Sequence, residues 1–224
     1  QKTFESKIVK NFALNLIALP VFEDLNGKYG KLRNINYAIK IYFLFLDTDI
    51  DLMFFGGDSE PIRIGFDLSR NIGKSIEVHG EFAYTFKDRA YHFNDSYNFI
   101  EEKKEIISLL AGFTFKSETE TTLTVEYYYN EKGFNPDKYK NFHNSAKNAY
   151  DLSVGTSDSS YINAFSTRYT QINLQLWGRH YAFFYVQQLN IFGVTDLNPN
   201  ITFIMNLEDY SFQIIPVIAY SPYQ

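Results

Sequence analysis

Two-residue alternation of apolar and polar side chains dominates the chain, the pattern of strands whose two faces meet different surroundings. In Ile62-Arg63-Ile64-Gly65-Phe66-Asp67-Leu68-Ser69, one face carries Ile62, Ile64, Phe66 and Leu68, and the other Arg63, Gly65, Asp67 and Ser69. The next segment sets Ile76, Val78, Phe82, Tyr84 and Phe86 against Glu77, His79, Glu81 and Thr85, with Gly80 the one gap in the apolar row. The same rule sets Ile50, Leu52 and Phe54 against Asp49 and Asp51. It also sets Leu123, Val125, Tyr127 and Tyr129 against Thr122, Thr124 and Glu126, and Ile201, Phe203, Met205 and Leu207 against Asn200, Thr202, Asn206 and Glu208.

About ten strands are predicted, over residues 11–22, 37–47, 49–56, 61–70, 75–87, 104–116, 121–130, 179–192, 200–208 and 211–221; the first and eighth alternate poorly. Most are longer than the roughly 5–6 residues of a typical soluble strand and match the roughly 9–11 that cross a bilayer at a tilt. Connections also alternate in length. Those at 47–49, 71–74, 117–120 and 193–199 are short, while 23–36, 88–103 and the polar stretch from Glu131 to about Arg168 are long; 57–60 and the Asp209-Tyr210 turn are short for the long-loop side. Outer-membrane barrels place short turns on the periplasmic side and long loops outside, which would put both termini on the periplasmic side. The expected fold is therefore all-β, an antiparallel transmembrane β-barrel spanning residues 1–224 as a single domain.

Composition sharpens this picture. Of 224 residues, 18% are aromatic, made of 18 Tyr, 22 Phe and one Trp, more than a soluble core needs and in keeping with aromatic girdles at two membrane interfaces. Mean hydropathy is −0.26, and no apolar run approaches the roughly 20 residues of a membrane helix. A soluble sandwich or lipocalin-like barrel also alternates, but it would have to turn the Phe-rich face into a core of limited volume. The net charge of −5 is spread along the chain, so no basic stripe suits nucleic acid. Cysteine is absent, which excludes disulfides and thiol chemistry. Gln1 opens no charged and apolar leader, so a secretion signal is expected to have been removed or to lie outside this sequence.

The polar face is where function is expected. Its pore-lining candidates are Lys40, Asp49, Asp51, Arg63, Asp67, Glu77, His79, Glu81, Lys116 and Glu126. They line either an open, weakly cation-selective path or a narrow interior closed by mutual pairing. Glu77, His79 and Glu81 form the densest ionisable row, but spacings of about 7 Å along one strand keep them from converging on a metal without partners from neighbouring strands. His79, His92, His143 and His180 are scattered, and no nucleophile or oxyanion motif accompanies the carboxylates, so neither catalysis nor a cofactor is expected. The Glu131 to Arg168 stretch, rich in Asn, Ser, Lys and Tyr, reads as a surface loop, with pore constriction as its functional alternative. Asn94-Asp95-Ser96 and Asp158-Ser159-Ser160 lack the spacing of a calcium loop.

The segment IGFDLSRNIGKSIEVHGEFAYTF (64–86) resembles the strand, turn and strand of porin-like outer-membrane proteins of Gram-negative bacteria, the broad group that contains alginate-export-type and substrate-uptake barrels. LIALPVFE (16–23) and YAFFYVQQLNIFG (181–193) are similar to its strands. The resemblance implies passive passage of a small solute, with outer-membrane lipid and other envelope proteins as partners. Such barrels commonly end in an aromatic residue, whereas this chain stops at Tyr220-Ser221-Pro222-Tyr223-Gln224, so further strands are expected outside the sequence if that signal is required. The alternatives are a structural or adhesive barrel with a closed lumen and, after it, a barrel enzyme.

Overall fold

The computed structural model describes residues 9–22, 34–172 and 176–221. Ten strands form one antiparallel sheet in chain order: β1 (Val9–Pro20), β2 (Ile35–Phe45), β3 (Thr48–Gly57), β4 (Arg63–Ile72), β5 (Ile76–Phe93), β6 (Phe99–Lys116), β7 (Thr121–Asn130), β8 (His180–Gln188), β9 (Leu197–Asn206) and β10 (Phe212–Tyr220). Two helices, α1 (Pro136–Thr156) and α2 (Ser160–Tyr169), lie between β7 and β8. Every strand pairs with its sequence neighbour, as hairpin-linked strands do. The tightest turn, Leu46-Asp47, holds both residues at positive φ, the backbone of a two-residue hairpin matched to strand twist.

The register keeps the two faces distinct across the sheet. The apolar row Ile41, Leu52, Phe66, Phe82, Leu109 and Tyr129 runs through successive partners from β2 to β7. A parallel row continues through Phe113, Val125, Phe184, Phe203 and Ile214 to β10. This face is open: Leu52, Ile64, Leu109, Phe184 and Ile201 are each 40–45% exposed although their strands are paired on both sides. The opposite face holds the buried Asn36, Thr85, Ile106, Tyr181 and Asn206. A soluble sandwich or lipocalin buries its apolar face, whereas here that face is exposed.

Among the described residues β1 and β10 do not pair with each other, so the sheet is open and not closed into a barrel. Both edges carry a donorless position. Val21 N donates to Asn34 O (2.9 Å), so Pro20, one step along, turns its nitrogen to the outer edge. Asn206 N donates to Ser211 O (2.8 Å), and alternation along β10 turns the Pro216 nitrogen outward too. Proline at such positions is how sheet edges are commonly blunted.

Two sequence expectations change. The connection expected at 88–103 is mostly strand, because β5 and β6 continue past a bulge between Thr85 and Asp88, where Lys87 has φ 50°. The bulge shifts the alternation by one residue and hides the continuation. The stretch from 131 to 168, expected as a surface loop, folds mainly into α1 and α2. Asn135 caps α1, its side chain accepting from Lys138 N at 3.0 Å, and Pro136 opens the helix. The connection expected at 23–36 falls largely, and the chain end partly, outside the described residues.

Candidate functional site

All ten candidates lie on the polar face, opposite the apolar rows. Asp51, Asp67 and Glu81 are direct cross-strand neighbours on β3, β4 and β5, an acidic row that would be repulsive without compensation. Lys40 supplies part of it, its Nζ 3.1 Å from Asp51 Oδ2. Asp49, one step toward the turn, accepts from the Tyr42 hydroxyl. Arg63 stands near the loop end, 3.7 Å from Glu60 and over the Phe55 ring at 5.7 Å. Lys116 closes β6 at the turn end.

The Glu77, His79 and Glu81 row does not act as a unit. Glu77 accepts from Ser69 Oγ (3.0 Å), and His79 Nε2 meets Glu126 Oε1 at 3.0 Å. The His79 contact reaches across an intervening strand, since His79 pairs with Gly112 and Gly112 with Glu126. A Cβ at Gly112 would sit 2.8 Å from His79 Nε2 and 2.7 Å from Glu126 Cγ, so the absence of a side chain there makes the contact possible. Among the described residues no group of three His, Asp or Glu side chains is placed to hold a metal. A cavity of about 680 Å³ opens on this face, with Met53, Arg63, Glu81, Ser108, Tyr128 and Asn130 among its walls.

The helices cover the loop end of this face. Phe93 at the β5 tip stacks on Phe165 of α2 (5.2 Å), and Phe142 of α1 packs against Trp177 (5.2 Å). Phe93, Phe134 and Ile172 are the buried centre of this aromatic cluster. Asn206 Nδ2 donates to the Tyr139 hydroxyl at 2.9 Å, fixing the first turn of α1 over β9. Ion pairs between Lys132 and Asp88 (3.0 Å) and between Lys104 and Glu131 (3.5 Å) fasten the entry to the cap. Burial lowers the Lys138 ammonium, and nearby Lys104 adds to this. Burial raises the Tyr139 phenol well above its usual range, with the Asp209 and Glu208 carboxylates adding to the effect, so it stays neutral.

Sequence reasoning missed the cap residues Tyr139, Phe142 and Trp177. The signals were present: Asn135-Pro136 is a helix start, and Tyr139, Phe142, Ser145 and Ala149 recur at three- and four-residue steps. No protein-family model matches the chain, and neither a curated protein nor a solved structure does.

Proposed function

We propose that this chain forms the wall of a porin-like barrel in a bacterial outer membrane and passes small solutes along its polar face. The observation that carries the reading is the exposed apolar face, which runs across the sheet while the ten ionisable candidates gather on the other side. Side chains of that size stay exposed at no loss only where the solvent is hydrocarbon, and polar groups are tolerated where they face a lumen. In this reading β1 and β10 are brought together to close the wall. With ten strands in meander order they run antiparallel, as an even-stranded barrel requires. Pro20 and Pro216 each remove one donor from that seam.

The acidic row supports a modest preference for cations. Asp51 is matched by Lys40 and Glu126 is hydrogen-bonded to His79, while Asp67, Glu77 and Glu81 have no ion pair among the described residues. Planar-bilayer recording tests the channel. Wild-type protein should give steady conductance with modest cation preference, and Glu77→Gln with Glu81→Gln should weaken that preference without unfolding the protein. A rival reading, a structural barrel with a closed lumen, is favoured by the helical cap over the loop end. A silent wild type would discard the channel and leave that rival.

A further inference from the structure

A second concavity, of about 560 Å³, lies between the helical cap and the loop ends of β8 to β10. Its walls include six aromatic rings: Tyr139, Phe142, Tyr169, Trp177, Tyr181 and Phe212. Three of them are in mutual contact, with Trp177 stacked on Tyr169 (5.7 Å, 18° between planes) and Phe142 6.0 Å from Tyr169 and 5.2 Å from Trp177. The polar lining near β10 is Asn206, Asp209, Ser211 and Gln213. His143, its ring 5.7 Å from that of Phe142, also lines the walls, and neither Lys nor Arg does among the described residues. Asp209 Oδ1 accepts from Ser211 N (2.9 Å) and Ser211 Oγ (2.6 Å), which fixes the carboxylate at the rim. No basic side chain among the described residues forms an ion pair with it, so its charge is uncompensated.

Aromatic faces carry negative electrostatic potential, and several of them beside one uncompensated carboxylate favour a positively charged ligand with apolar bulk. An anion would meet the Asp209 carboxylate with neither Lys nor Arg in the walls to hold it, and a neutral apolar ligand would leave the carboxylate unmatched. We propose that this pocket binds an organic cation, a quaternary or protonated amine, held by the aromatic faces and by the Asp209 carboxylate. The site is built by the cap and the β9–β10 turn and does not depend on whether the sheet closes or conducts.

Trp177 is the single tryptophan of the chain, so its emission reports on the pocket directly. Choline titrated into the folded chain in detergent should change that emission saturably. Its neutral analogue, with carbon in place of the quaternary nitrogen, should bind roughly tenfold more weakly. Asp209→Asn should weaken choline by roughly threefold and leave the neutral analogue unaffected. Because Asp209 also holds its turn, Tyr169→Leu provides a variant that leaves the turn intact and should weaken choline as well. Equal affinity for choline and its analogue would mark a merely apolar pocket and overturn the proposal. So would unaltered choline binding in both variants, or wild-type protein with neither an emission change nor heat in titration calorimetry.

Discussion

The interior strands and the two edge strands differ in what they place on the second face of the sheet. On β4 the face opposite Ile64, Phe66 and Leu68 carries Arg63, Gly65, Asp67 and Ser69. On β1 that face carries Ala13, Asn15, Ile17 and Leu19, and on β10 Gln213, Ile215, Val217 and Ala219. Ile17 is 59% exposed and every residue of β10 is exposed. A strand that is apolar on both sides is ordinarily covered on both sides. The interior strands therefore present two unlike faces, one apolar and one polar, whereas the edge strands are largely apolar on both.

The largest effect is expected at β4. Phe66→Arg, near the middle of the apolar face, should destabilise the membrane-folded protein by about 2–4 kcal/mol, and Asp67→Asn by less. Denaturant titration of the two variants in lipid vesicles measures both; equal losses, or a larger loss at Asp67, would invert the faces. A smaller effect is expected on the polar face. Gly112→Ala should lower stability by about 1–3 kcal/mol, because the new methyl meets His79, Glu126 and the Val125 carbonyl together. Pairing the change with Glu126→Gln in a double-mutant cycle should show coupling, and strict additivity would mean that the contact across Gly112 contributes nothing.

Much of this was legible in the chain. All ten strand centres fall within the expected segments, and in all but the first and eighth the period of two gives them, because side-chain direction in a strand is fixed by position alone. For the same reason the alternation by itself assigns the ten candidates to one face. It does not give their pairings, since His79 and Glu126 are 47 residues apart and meet only through a register that runs across β6. Strand ends were misread where a bulge reset the alternation beyond Thr85. The helical cap was hidden by its composition: Asn, Ser and Lys between short apolar positions resemble a loop, and the packing that orders α1 comes from Phe93, Phe134 and Trp177, which lie outside it.

The proposed porin wall requires that one face of the sheet meet lipid and the other not. Single cysteines replacing Phe66, Asp67, Ile214 and Ile215 in this cysteine-free chain, each carrying a fluorophore, test it in vesicles containing a lipid-tethered quencher. Strong quenching is expected at positions 66 and 214, and little at 67 and 215. Equal quenching at 66 and 67, or ready access of a water-soluble quencher to 66, would contradict the proposal.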